Sequence, residues 1–173
     1  MTLYNAILID PPWQFKNWSS QGEKKSANRH YQTMSLAELR ELELPAADHC
    51  ALLMWIIDTH MPDALELIEA WGFTYKTVAF IWVKPGIGLG YWSRKQAELC
   101  LLATKGKPKR LDGGGSVRQI IEAKRRQHSR KPDEIYERIE HLVSGPYLEM
   151  FARQSWPGWD AWGLETTKFE ADA

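Results

Sequence analysis

Long apolar runs are missing from this chain of 173 residues: nothing approaches the roughly 18 residues that a membrane-crossing helix needs, which argues against a helical span. The cationic and apolar start of a signal peptide is missing too. Cysteine is scarce. Cys50 and Cys100 each lie inside an apolar run, and neither has a second Cys or a His at ligand spacing. Two buried, inert thiols are therefore expected, with no metal site, in an intracellular, cytoplasmic protein. No internal repeat is visible. Net charge is lacking as well, with 22 Lys and Arg against 22 Asp and Glu.

That neutrality is unevenly spread. From Lys105 to Lys131 there are ten Lys and Arg against two acids, a local +8 that leaves −8 for the rest of the chain. A run of this kind is most often a solvated face, and the alternative is a surface for a polyanion. At 44% apolar the chain can bury a core of its own, and we expect one domain over residues 1–166 with a frayed tail at 167–173. Nine tryptophans are many for this length, and several stand beside glycines and charges.

Asn5-Ala6-Ile7-Leu8-Ile9-Asp10-Pro11-Pro12-Trp13 organises the rest. Ala6 to Ile9 reads as a short buried strand. Two prolines cannot donate to a sheet ladder, so the strand ends at Asp10, on a stiff turn. In open α/β sheets ligands bind at that edge. A Pro-Pro turn can leave the Pro11 carbonyl unpaired, beside the Asp10 carboxylate. Two such acceptors match the two N–H donors of an aromatic amine. Trp13 then offers a face on which a ring can stack, worth about 1–3 kcal/mol per base in nucleic-acid sites. The four residues alone equally allow Asp10 to cap a turn and Trp13 to fill the core.

Further along, Gln14 to Arg29 reads as a mobile loop, and Ser35 to Glu38 is a capping box opening a helix to about Leu42. Strands are expected at residues 50–57, 78–83, 98–104 and 147–151. A helix from Pro62 to Gly72 should turn Leu65, Ile68 and Trp71 inward, and another from Pro132 should do so with Ile135, Ile139 and Leu142. Residues 116–123 suit a strand or a short helix. The glycines at 86, 88 and 90 fail as a dinucleotide fingerprint, because the third is misplaced and no helix follows; a loop carrying Tyr91, Trp92 and Arg94 is expected instead. Residues 105–115 read as a basic, disordered-looking loop. Alternation of strand and helix argues a mostly parallel, three-layer α/β sheet.

Taken together, Asp10 to Trp13, Tyr31 to Ser35, Gly90-Tyr91-Trp92, Lys131-Pro132-Asp133-Glu134 and Glu149-Met150-Phe151-Ala152-Arg153 resemble one family. It is the MT-A70-like family of S-adenosylmethionine-dependent adenine-N6 methyltransferases, and the resemblance runs from about Asn5 to Glu165. What it implies is a Rossmann-like methyltransferase fold in permuted order, with the catalytic motif first and the cofactor motif last. It implies Asp10, Pro11, Pro12 and Trp13 as the catalytic motif and Tyr31 as an enclosure for the target base. Lys131 would meet the methionine carboxylate of S-adenosylmethionine, and Glu149, Arg153 and Glu165 would surround its ribose. Leu164 stands where the family usually has Asn. On this resemblance Tyr91, Trp92, Arg94, Lys107, Lys109 and Arg110 become a surface for a polynucleotide, DNA ahead of RNA, in a bacterial or phage-type enzyme that is monomeric or a homo- or heterodimer. No metal is implied. The rival from another class is a non-catalytic, nucleic-acid-binding partner subunit, and cytosine-N4 methylation is the neighbouring chemistry. Loss of the Asp or the aromatic would favour the first and a Ser in place of Asp10 the second; this chain has neither change.

Overall fold

A computed structural model describes residues 1–14, 33–127 and 130–170. Seven strands form one sheet: β1 (Tyr4–Ile9), β2 (Ala46–Ile56), β3 (Thr74–Gly88), β4 (Lys95–Lys105), β5 (Ile120–Glu122), β6 (Tyr147–Met150) and β7 (Trp159–Trp162). Their order is β5-β3-β4-β2-β1-β6-β7. Only β4 runs against its neighbours, β2 and β3; every other pairing is parallel. The strand limits differ from expectation chiefly at the ends, where β2 and β4 begin earlier and β3 runs on to Gly88.

Alternation along the strands builds a core on each face of the sheet. Ile7, Ile9, Leu52, Met54 and Ile56 point to one side, under α1 (Leu36–Arg40) and α2 (Met61–Ala70). Ala6, Leu8, Leu53 and Trp55 point to the other, under α3 (Glu134–Leu142), which contributes Ile135, Tyr136 and Ile139. The result is three layers. Because β1 is covered on both faces, its sequence from Ala6 to Ile9 is a continuous apolar run.

Local chemistry sets the helix limits. Ser35 Oγ accepts from the Glu38 N–H at 3.3 Å, and Glu38 Oε2 accepts from the Ser35 N–H at 2.7 Å, the expected capping box. Pro62 lies in the first turn of α2, and Gly72 follows its end at φ +76°, a conformation that favours glycine. Leu65 does not face inward as expected; it is 38% exposed. Ala64, Leu67 and Ile68 define the buried stripe, so a spacing drawn through Leu65 and Ile68 lies at its margin.

Other expectations change with the packing. The ambiguous stretch before Ala123 supplies β5, parallel to β3. Trp159–Trp162, in a stretch rich in tryptophan, also forms a strand, β7, beyond the strands expected above. The segment after Lys105, read as disordered, is held in place instead. Leu111 N–H bonds Leu142 O at 3.0 Å, and a Cβ at Gly114 would stand 2.8 Å from Arg110 Cγ. The tail expected to fray from 167 is placed as far as residue 170: Phe169 is 6% exposed and its N–H bonds Arg153 O at 3.1 Å. Burial pushes both cysteine thiols up, Cys50 to about 12. Among the described residues no helix is long and apolar enough to cross a membrane.

Candidate active site

Asp10 is the first residue after β1, at the carboxyl edge of the parallel strands. The turn that follows differs from expectation in one respect. The Pro11 carbonyl is not unpaired: it accepts from the Trp13 N–H at 2.8 Å. A three-residue turn centred on Pro12 accounts for this, because the proline ring fixes φ close to the value such a turn needs. The Pro12 carbonyl accepts from the Met34 N–H at 2.9 Å. Trp13 is 7% exposed and stacks on His60, with centroids 5.0 Å apart and planes 10° from parallel. One of its faces is thus already covered.

The residue nearest Asp10 chemically is Lys131. Its Nζ donates to Asp10 Oδ2 at 2.8 Å and lies 3.2 Å from Glu98 Oε2. Glu98 in turn pairs with Lys84, whose ammonium also sits 4.4 Å from the centre of the Trp82 ring. Two cations and two anions therefore balance in a chain Asp10–Lys131–Glu98–Lys84, largely out of water. Burial alone would lower the Lys131 ammonium, but Asp10 and Glu98 outweigh it and raise it. Burial alone would raise Glu98, but Lys131 and Lys84 outweigh it and bring the carboxyl to about 2. Lys131 is accordingly no surface lysine in the densest charge run. Sequence reasoning missed Glu98 and Lys84; the available signal was a charge directly flanking the apolar run of each strand, Val78 to Val83 and Leu99 to Ala103.

Glu149 and Arg153 line the same pocket as Asp10, Lys131 and Trp55. Burial lifts the Glu149 carboxyl to about 7, against the opposing effect of the Tyr136 hydroxyl, which donates to it at 2.7 Å. Arg153 Nε lies 3.6 Å from Glu165 Oε2, which brings Glu165 to the rim. Glu149 is therefore paired with Tyr136, and Arg153 with Glu165. Phe151 takes a left-handed φ of 60° and meets Trp162 edge to face at 5.3 Å. The pocket thus combines cations for a carboxylate, acceptors for hydroxyls and aromatic faces for a ring. Trp55 adds a buried indole N–H that has no partner among the described residues. These donors and acceptors fit S-adenosylmethionine.

The remaining expected residues divide. Tyr31 lies outside the described residues, as does most of the loop from Gln14 to Arg29. Tyr91 and Trp92, 68% and 96% exposed, stand with Arg94 at the β3–β4 hairpin tip. That tip is on the same edge of the sheet as Asp10, since Lys95 at its base pairs with Asp58 just past β2. Lys107, Lys109 and Arg110 are exposed but are not brought to the site. Lys105 pairs in register with Cys50 near the start of β2, and Arg110 bridges to Val143, so these cations lie at the opposite edge of the sheet. The +8 stretch crosses the molecule, and only its later part, from Lys124, reaches the Asp10 edge.

A family model described as MT-A70 matches residues 4–165. The chain is 37% identical over 180 residues to the type II methyltransferase M.MunI of Mycoplasma sp, an alignment covering 94% of this chain and 77% of that protein. It is 31% identical over 160 residues to the N(6)-adenosine-methyltransferase MT-A70-like protein of Drosophila melanogaster, covering 87% of this chain and 24% of that one. It is 29% identical, again over 160 residues, to the N(6)-adenosine-methyltransferase catalytic subunit METTL3 of Homo sapiens, covering 87% of this chain and 26% of the human protein. The chain thus spans about a quarter of those two relatives.

Proposed function

The chain belongs to the MT-A70 family and is an adenine-N6 methyltransferase, and from that premise we propose that it methylates adenine in a polynucleotide, DNA ahead of RNA, with S-adenosylmethionine as donor. What carries the proposal is Asp10 at the carboxyl edge of β1, within 2.8 Å of a lysine and beside a pocket of cations, carboxyls and rings. DNA is put first because the likeness to the type II methyltransferase extends over 77% of that protein.

Bound in this pocket, S-adenosylmethionine supplies the activated methyl group. Lys131 would meet its carboxylate, and Glu149, Arg153 and Glu165 its ribose. Asp10 acts on the other partner. The nitrogen of an aromatic amine is a poor nucleophile because its lone pair is delocalised into the ring. Lys131 binds one oxygen of Asp10, and the other, Oδ1, is the acceptor for one amino hydrogen. The Pro11 carbonyl bonds Trp13 with one lone pair and keeps a second for the other hydrogen. Held by both, the nitrogen is favoured in a pyramidal form with its lone pair directed away from the ring. As the nitrogen takes the methyl group and positive charge develops on it, the Asp10 carboxylate stabilises that charge from a fixed position, and its Oδ1 is placed to accept the proton that the nitrogen then releases. Trp13, set by His60 behind it, gives the base a wall. Orientation supplies much of the rate. A base inside a duplex must first be flipped out, at a cost of a few kcal/mol.

The test is mass spectrometry of nucleosides from DNA and from RNA after incubation with methyl-labelled S-adenosylmethionine. Labelled N6-methyladenine from DNA is expected. Label on RNA alone would reverse the choice of polymer, and label on cytosine would overturn the choice of base.

A further inference from the structure

Lys131 is followed by Pro132 and then Asp133, the residue that caps α3, and this short turn is held from outside by one guanidinium. Arg126 donates from Nη1 to Asp133 Oδ2 at 2.7 Å, and from Nη2 to Asp133 Oδ1 at 2.8 Å and to the Lys131 carbonyl at 2.6 Å. The fork geometry of arginine is what allows a carboxylate and a neighbouring carbonyl to be held together. Asp133 stands at a helix N-cap, where its carboxylate would ordinarily accept from the first backbone N–H groups. It makes no such bond. Its oxygens go to Arg126 and to Gln154, whose Nε2 donates to Oδ1 at 2.9 Å. Gln154 is itself only 9% exposed and also lies 3.2 Å from the Tyr136 hydroxyl, the group that donates to Glu149. A single carboxylate therefore joins the Lys131 turn to the Glu149 corner, and Arg126 closes the arrangement from the surface.

We propose that Arg126 is a positioning residue that fixes the backbone of Lys131, and through it aims the Lys131 ammonium for cofactor binding. This rests on the assignment of Lys131 to the cofactor carboxylate. Arg126 is not itself part of the pocket lining; it acts at the Lys131 carbonyl, behind the lining side chain, and at Asp133. A lysine side chain with four rotatable bonds can reach many positions, and its backbone must be fixed before its ammonium can be. Small misplacements of such a group have large effects.

The experiment is a double-mutant cycle read by calorimetric titration of S-adenosylmethionine, with a thermal melt of each protein. Arg126→Met and Arg126→Lys are each made in the wild-type chain and in Lys131→Ala. The side chain of Arg126 is 33% exposed, so both variants should fold. Arg126→Met is expected to weaken cofactor affinity about tenfold, and Arg126→Lys nearly as much, because an ammonium cannot hold the carboxylate and the carbonyl as a fork. In the Lys131→Ala background the same changes should cost less than about twofold, since residues acting as one unit are not additive. An equal loss in both backgrounds, or none in either, would overturn the role of Arg126. Unchanged affinity in Lys131→Ala alone would instead overturn the placement of Lys131 itself.

Discussion

Glu149 and Glu98 are two glutamates of one site with opposite electrostatic fates. Glu149 is lifted by burial from 4.5 to about 7, so the folded protein holds a proton there that the unfolded chain releases. Stability must then fall as pH rises from about 4.5 to about 7, and the full penalty is present above that window. Glu149→Gln should therefore raise the melting temperature at pH 8, by an amount corresponding to about 2–3 kcal/mol, and change it little at pH 5. Glu98 behaves in reverse. Its carboxyl is held at about 2 by Lys131 and Lys84, so its stabilising contribution is complete above 4.5 and is lost as pH falls toward 2. Glu98→Gln should destabilise the protein at pH 7 by about 3–5 kcal/mol, the range for removing one partner of a buried pair. Thermal melts of both variants at pH 5 and pH 8 test this. A gain for Glu149→Gln at pH 5 as large as at pH 8 would contradict the first, and an unchanged Glu98→Gln the second. Neither role could be read from the sequence. Lys131 stands 121 positions from Asp10, so only the fold reveals their pairing.

At the scale of elements, much was legible because local chemistry decided it. The apolar run of β1, the Ser35–Glu38 box and the proline that opens α2 each carry their own signal. β7 was not legible, since Trp156-Pro157-Gly158 reads as a turn and four strand residues leave little pattern after it. The division of the charge run was not legible either, for a different reason. Counted along the chain, Lys107 and Lys124 belong together; in the fold the intervening residues cross from one edge of the sheet to the other. This separates the basic segments by function. Neutralising Arg94, Lys124 and Arg125 on the Asp10 edge should weaken binding of an oligonucleotide and flatten its salt dependence, by about 0.9 in log–log slope per lost contact on a duplex. Neutralising Lys107, Lys109 and Arg110 should leave slope and affinity near wild type. Titrations of a labelled oligonucleotide at several salt concentrations decide it; a flatter slope for the second set would mean that the polymer reaches the far edge.

At the scale of the molecule, β1 lies between β2 and β6 in the sheet, so the site closes only when distant parts of the chain arrive. Asp10 comes from the N-terminal strand, Glu98 from the antiparallel β4, Lys131 from the start of α3 and Glu149 from β6. The fold class could be read in advance, while the charge chain Asp10–Lys131–Glu98–Lys84 could not, because it exists only across the sheet. In the proposed division of labour Asp10 handles the amine while Lys131, Glu149 and Arg153 hold the donor. The most direct test is Asp10→Ala, carried through calorimetric titration of S-adenosylmethionine and a methylation assay on adenine-containing DNA. Loss of methyl transfer by at least about a hundredfold, with cofactor affinity changed far less, is the expected result. A variant that still transfers methyl groups at a rate near wild type would contradict it.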